Sequence, residues 1–294
     1  MNDPLVSIIM NCYNGSECLK NAIDSVYAQT YQNWEIIFWD NVSIDNSAEI
    51  AQSYDDRLKY FLAEKFTTLG EARELSIRRA SGEFVAFLDC DDYWYKNKLR
   101  LQIPLFQDLN VGLVYSNYWI KNKERKKIFS KTKLPSGYIL NNLLDSYSIG
   151  FLTVVFRKSA IGNKGSFFNV RYNIIHDFDL IIRTSINCKF ACIQSPLACY
   201  RYHGNNETVK RISQYIQELE FWISENKSNL DISLQKKFYR PKDVLLYLKG
   251  KEAVKDGNRI KALFYCSKIS FCVEKIKLLV YIISPKVLTL EFTS

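Results

Sequence analysis

Apolar residues along this chain alternate between short unbroken runs and runs spaced three and four apart. Residues 5–10 (LVSIIM) form a continuous, β-branched stretch, the pattern of a strand covered on both faces. A turn and cap signal follows at Asn14-Gly15-Ser16, after which Leu19, Ile23 and Val26 recur at helical spacing. Residues 34–39 (WEIIFW) read as a second strand, 45–54 as a helix, 58–62 as a strand, 69–80 as a helix, and 84–88 and 111–120 as further strands. Strand-helix-strand units at this spacing predict an α/β fold, a mainly parallel sheet flanked by helices. Past Lys121 the pattern is less regular, with a strand-like 151–156, a helix over 177–186 and a strand near 198–202. From Val209 onward the chain reads as an all-helical C-terminal extension. Asp256-Gly257-Asn258 turns a helical hairpin there, and Lys261, Lys268 and Lys275 are spaced to line one helix face.

Three apolar strands end in polar clusters: Asn11 to Asn14, Asp40-Asn41, and Asp89, Asp91 and Asp92. Ligands of parallel α/β sheets bind beyond the carboxyl ends of the strands, so these clusters are expected to meet in one crevice. Three carboxylates within four residues repel one another. A hard divalent cation, Mn²⁺ or Mg²⁺, held by one or two of them and completed by substrate phosphates, would relieve that crowding. The bland alternative is an acidic turn that caps a helix.

Five stretches carry a family resemblance: VSIIMNCYNG (6–15), WEIIFWDNVSIDNS (34–47), LGEAR with ASGEFVAFLDCDDYW (69–94), HDFDLIIR (176–183) and YRYHGNNET (200–208). Their order and spacing resemble an inverting glycosyltransferase of family 2, bacterial type. The resemblance implies the GT-A nucleotide-diphospho-sugar transferase fold over residues 1–208, with a donor-binding half (1–120), an acceptor half (121–208) and a helical extension (209–294). It also implies a nucleotide-sugar donor, a UDP-sugar by preference, a divalent metal and inversion at the anomeric carbon.

Carried over residue by residue, Asp89 and Asp91 resemble the family's DxD, with Asp91 on the metal and Asp89 facing the ribose or the metal's water shell. By the same resemblance Tyr13 would stack on or border the nucleobase, Asp40 and Asn41 would lie where a side chain reads its edge, Arg73 would lie near the donor phosphates, and Asn11 would be among the residues that bind the nucleotide-sugar. Asp177 matches the catalytic base, which takes the proton of the acceptor hydroxyl. His203 matches a histidine that approaches the metal or the diphosphate. His176 stands where relatives carry Glu, and it either touches the acceptor or orients its neighbour. Trp94, directly after the DxD, is a candidate wall of the sugar or acceptor site. Glu74 replaces a common Asn and changes the local hydrogen bonding.

Composition narrows the reading. Hydrophobic residues make up 47% of the 294, which excludes general disorder. The net charge is +9, and residues 236–286 carry thirteen Lys/Arg against four Asp/Glu, enough to account for all of it. A second basic run, 121–133, holds seven positives against Glu124. Nucleic acid is not the expected partner. The expectations are a glycan or lipid-linked acceptor, and contact of the C-terminal helices with a membrane surface or a second subunit. The eight cysteines contain no CxxC pair and read as reduced thiols, with a structural zinc the weaker alternative. No basic-then-apolar leader begins the sequence and no apolar run approaches ~20 residues, so a cytoplasmic protein, peripheral at most to the plasma membrane, is expected. Two other functions compete: a nucleotidyltransferase, disfavoured because residues 11–15 hold a single glycine, and a non-catalytic binder of anionic surfaces through the basic tail.

Overall fold

The computed structural model describes residues 3–161, 166–203, 211–227, 239–270 and 273–283. Nine strands form one sheet: β1 (Val6–Cys12), β2 (Trp34–Asp40), β3 (Leu58–Leu62), β4 (Phe84–Phe87), β5 (Tyr93–Trp94), β6 (Val111–Lys121), β7 (Lys126–Ile128), β8 (Val155–Arg157) and β9 (Lys189–Arg201). Their order is β3-β2-β1-β4-β8-β6-β9-β5, with β7 paired to β6. The helices are α1 (Ser16–Tyr27), α2 (Ser47–Gln52), α3 (Leu69–Ile77), α4 (Lys98–Gln102), α5 (Leu140–Asp145), α6 (His176–Asn187), α7 (Ile212–Lys227), α8 (Tyr239–Lys255), α9 (Arg259–Lys268) and α10 (Val273–Ile283). The chain divides into two compact units, Met1–Leu140 with Ser148–Asn206, and Asn141–Tyr147 with Glu207–Ser294.

In the first unit β1 lies between β2 and β4 and pairs in parallel with both. That central position explains its unbroken apolar run, since both faces are covered. Val6, Ile8 and Met10 pack in one core with Leu19, Ile23 and Val26 of α1 and with Ile36, Phe38, Ala86 and Leu88. Each such aliphatic or aromatic side chain contributes about 1.5–3 kcal/mol on burial. The turn before β4 needs Gly82, because a Cβ there would lie 2.7 Å from Leu5 O and from Ser7 N. The parallel stacking brings the ends of β1 and β2 level, with Cys12 opposite Asp40.

The far half departs from simple alternation. β8 runs antiparallel between β4 and β6, so the sheet is mixed. The strand expected over 151–156 is a 3-10 turn, Phe151–Thr153, followed by β8. β9 begins nine residues earlier than the pattern near 198–202 suggested, and its register against β6 shifts around Pro196. Proline removes a ladder donor, which fits a break in pairing at that point.

In the second unit α8 and α9 form the expected hairpin. Gly257 adopts φ +77° at the turn, and Asn258 caps α9 by accepting from Lys261 N. Ala253, Val254, Ala262, Cys266, Ile269, Leu278, Tyr281 and Ile282 make a small core there. One expectation fails: α9 ends at Lys268 and the backbone turns extended at Ile269, so Lys261 and Lys268 share a helix while Lys275 lies on α10. Among the described residues no helix is long and apolar enough to cross a membrane, the described cysteines are free, and no cluster of three ligating side chains occurs. Residues 204–208 of the fifth motif, and 209–210, 228–238, 271–272 and 284–294 of the extension, lie outside the described residues.

Candidate active site

The loops after β1 and β2 are stitched to each other. Asn14 N donates to Ser43 Oγ at 3.0 Å, Ile44 N to Asn14 Oδ1 at 2.8 Å, and Gly15 N to Ser47 Oγ at 3.0 Å. Asp45 accepts from Ser16 N at 2.9 Å, at the start of α1. Burial opposes ionisation of Asp45, but hydrogen bonds from Ser47 and Ser16 hold its carboxyl down to about 2. Asn14 and Val42 both have positive φ, +53° and +67°. For a β-branched valine this is a strained conformation, of the kind concentrated at functional loops.

Asp40 and Asn41 are built into this scaffold. Asp40 is 1% exposed; Oδ1 accepts from Ser43 N at 2.8 Å and Oδ2 from Tyr60 Oη at 2.7 Å. Asn41 Nδ2 donates to Thr67 O at 2.9 Å, while its Oδ1 accepts from Thr67 N and Oγ1, both at 3.1 Å. These side chains are buried, and their hydrogen bonds hold the loops in place. The aromatic surface nearby is Tyr13, exposed, and Phe66, also exposed, whose rings meet edge to face at 4.7 Å. Sequence reasoning missed Phe66, which lies in an irregular loop with no periodic signal. Asn11 Nδ2 donates to Ser76 Oγ at 2.7 Å, and its buried Oδ1 has no hydrogen-bond partner.

The end of β4 is arranged differently. Asp89 Oδ1 accepts from Arg73 Nη2 at 2.5 Å, and Asp91 Oδ2 lies 2.9 Å from His203 Nε2. Both carboxylates keep roughly a third or more of their side-chain surface open. Burial, and then the charge of Asp89, push the Asp91 carboxyl above its usual range, with His203 opposing. The third acid has another task. Asp92 is buried and accepts from Arg201 N at 2.9 Å, tying β5's entry to the end of β9, and burial pushes its carboxyl far upward.

Arg73 comes from α3 and is 4% exposed, its guanidinium 4.8 Å from the centroid of the Phe151 ring. Its Nη1 lies 2.5 Å from His176 Nε2, and His176 Nδ1 lies 2.9 Å from Asn173 O. A guanidinium only donates, so His176 accepts at Nε2 and donates at Nδ1 as a neutral ring. Burial and the Arg73 charge hold its pKa well below the ordinary value, consistent with that tautomer. Buried behind Arg73, His176 offers nothing to an acceptor. The side chain that His176 contacts through Nε2 is that of Arg73.

Trp94 is also corrected. It is 3% exposed in the main core and its Nε1 donates to Leu152 O at 2.8 Å, so neither ring face is available to a sugar. Glu74 accepts from Phe167 N at 2.9 Å and Phe168 N at 3.0 Å, which anchors the loop before α6. Asp177 sits half-buried in the first turn of α6. Its carboxyl is raised by burial, opposed by the Arg73 charge and by the Phe178 N–H, and raised again by Asp89. Asp177 thus shares the electrostatic field of Arg73 and Asp89. Asp179, also in the first turn, pairs at 2.8 Å with Arg183 one turn along the helix.

The family profile Glycosyl transferase family 2 matches residues 7–160, just over half of the chain. The chain belongs to glycosyl transferase family 2. As a glycosyltransferase it has relatives of known and unknown specificity. The UDP-Glc:α-D-GlcNAc-diphosphoundecaprenol β-1,3-glucosyltransferase WfgD of Escherichia coli is 36% identical over 200 residues, covering 65% of this chain and 77% of that protein. Among solved structures, the mannosyltransferase PcManGT of Pyrobaculum calidifontis, in complex with GDP-Man and Mn²⁺, superposes with a TM-score of 0.66. It is 16% identical and covers 99% of this chain and 81% of its own. S. aureus TarS 1-349 in complex with UDP-GlcNAc gives 0.64 at 13% identity, with 88% of each chain covered. At these identities the structures bear on the fold, and the fold is the GT-A type that the five motifs implied. The nucleotidyltransferase alternative falls with the family assignment.

Proposed function

We propose that this glycosyltransferase moves a hexosyl group from a nucleotide-sugar, a UDP-sugar by preference, onto an acceptor hydroxyl with inversion. The observation that carries the reading is the convergence of Asp89, Asp91, Arg73, His203 and Asp177, which come from four separate segments of the sequence, on one partly open end of the sheet. The DxD carboxylates fit a divalent cation, Mn²⁺ or Mg²⁺. The Asp91 carboxyl is pushed up by burial and by Asp89's charge, and a cation relieves both. Asp91, Asp89 and His203 would hold it, and it would supply charge neutralisation for the departing nucleoside diphosphate.

The chain's own residues supply the rest. Tyr13 and Phe66 offer a platform to the nucleobase. Arg73, held in place by neutral His176, places a fixed guanidinium beside Asp89, where donor phosphates would lie. Asp177 takes the acceptor's proton as the hydroxyl oxygen attacks C1 and the bond to the diphosphate breaks. Its raised affinity for a proton suits a general base, because a stronger base accepts more readily. The relative with a diphosphate-lipid acceptor supports a lipid-linked glycan acceptor and surface or envelope glycan synthesis.

The test is transfer from a panel of UDP-sugars with Mn²⁺ present, for wild type and Asp177→Asn. The variant should bind donor normally and lose roughly 10²- to 10⁴-fold in turnover. Near-normal turnover in the variant would remove Asp177 from the role of base.

A further inference from the structure

The helical unit carries more apolar surface than its own core uses. α10 turns Leu278, Tyr281 and Ile282 into that core. A second set on the same helix stays exposed: Val273 58%, Ile276 52%, Leu279 40%, Val280 38% and Ile283 78%. These residues fall at i, i+3, i+6, i+7 and i+10, which is one stripe of a 3.6-residue helix. α9 shows the same arrangement. Ala262 and Cys266 are buried, while Ile260 (84%), Leu263 (49%) and Phe264 (57%) stay outside at i, i+3 and i+4. An apolar stripe left uncovered on each of two consecutive helices exceeds the scattered exposure normal for a soluble surface.

Charge identifies the occupant. Arg259, Lys261, Lys268 and Lys277 are exposed beside these stripes. The one acid between positions 259 and 283 is Glu274, and it pairs with Arg240 at 3.5 Å. A second copy of the chain in a two-fold contact would set the same cations against themselves. An anionic phospholipid surface neutralises them and accepts the apolar side chains at the headgroup boundary. α10, at eleven residues, is roughly 16 Å long, far short of the ~30 Å hydrocarbon layer, so it can lie in the interface and not cross it.

We propose that the exposed stripes of α9 and α10, flanked by Arg259, Lys261, Lys268 and Lys277, dock this protein onto an anionic phospholipid membrane surface. The proposal stands independently of the donor site. Were the transferase chemistry misassigned, the stripes and their cations would be unchanged.

Cosedimentation of the full chain with phosphatidylglycerol-containing vesicles and with phosphatidylcholine vesicles tests it, at low and high salt. Wild type should pellet with the anionic vesicles at low salt, release at high salt, and stay in solution with phosphatidylcholine. The variant Lys261→Glu/Lys268→Glu/Lys277→Glu should lose about 100-fold in partitioning. Ile276→Asp/Leu279→Asp should not pellet at either salt. Near-ultraviolet circular dichroism checks that each variant folds, and the lysine variant, altered only at exposed sites, keeps the test open if the aspartate pair does not. Equal pelleting with both lipids, or wild-type pelleting by the folded variants, overturns the proposal. So does light scattering that finds a dimer which Ile276→Asp/Leu279→Asp dissociates, because a second copy would then cover the stripes.

Discussion

At the carboxyl end of β2 both oxygens of Asp40, and both Oδ1 and Nδ2 of Asn41, are engaged inside the protein. At the carboxyl end of β4, two strands away in the sheet, Asp89 and Asp91 crowd each other and stay partly open. In the sequence the two ends look alike, each a polar group after an apolar run. The difference lies in what reaches them. Tyr60 and Thr67 arrive at β2 from β3 and the loop beyond it, and their hydroxyl and backbone groups satisfy the polar atoms. Among the described residues, the side chains that reach Asp89 and Asp91 are those of Arg73 and His203. A satisfied polar group is scaffold, whereas a crowded and open one stores repulsion that a ligand can relieve. On the proposed reading, β2's end holds the site and β4's end binds.

Substitutions should separate the two ends. The largest stability effect belongs to β2. Asn41→Ala strands Thr67's buried N–H and carbonyl, so unfolding should become easier by about 1–3 kcal/mol, seen as a lower midpoint in urea. If Asn41→Ala instead left stability unchanged and abolished donor binding, the scaffold assignment would be wrong. Phe66→Ala and Tyr13→Ala come next. Both rings are exposed, so stability should barely move, while UDP affinity falls by roughly 1–3 kcal/mol if the base stacks there. Calorimetry at fixed metal would show it, and unchanged affinity would send the base elsewhere.

The smallest effect concerns Asp177 and pH. Its folded-state pKa is raised, so the charged form is the disfavoured one in the folded protein. Its contribution to stability is then fully present below the unfolded carboxylate value, about 4, and is lost as pH rises through the folded value. At neutral pH Asp177→Asn should thus melt no lower, and somewhat higher, than wild type. For the same reason the acid limb of kcat/KM should lie above the ordinary carboxylate range, since the base works only when deprotonated. A wild-type limb at or below pH 4 would contradict the raised value.

The sequence announces some of this and hides the rest for physical reasons. Strands β1 to β4 and the helices between them follow from local periodicity, because each is covered on a face that the period reveals. The DxD is visible because three carboxylates at a strand end repel one another, whereas Asp177 is named only through the family resemblance, since an acid at a helix start is otherwise an ordinary cap. His176, Trp94, Asp40 and Asn41 are named by the sequence but assigned by long-range partners: Arg73 is 103 residues from His176, and Leu152 is 58 from Trp94. No local pattern encodes those contacts. Phe66 escaped because a single exposed aromatic in a loop has no period to break. The lysine face drawn across 261–275 failed because an extended residue, Ile269, splits one predicted helix into two.

The central claim is that the open carboxylates after β4 bind the donor through a divalent cation while those after β2 do not. The most direct measurement is the UDP-induced shift in melting temperature, with and without Mn²⁺, for wild type and Asp91→Ala. Wild type should be stabilised only when metal is present, by about 2.7 kcal/mol at a hundredfold excess over Kd. Asp91→Ala should lose that gain while its ligand-free melting temperature holds or rises, because a crowded charge has been removed. An equal UDP shift without metal, or an Asp91→Ala variant that keeps the metal-dependent shift, would contradict the account.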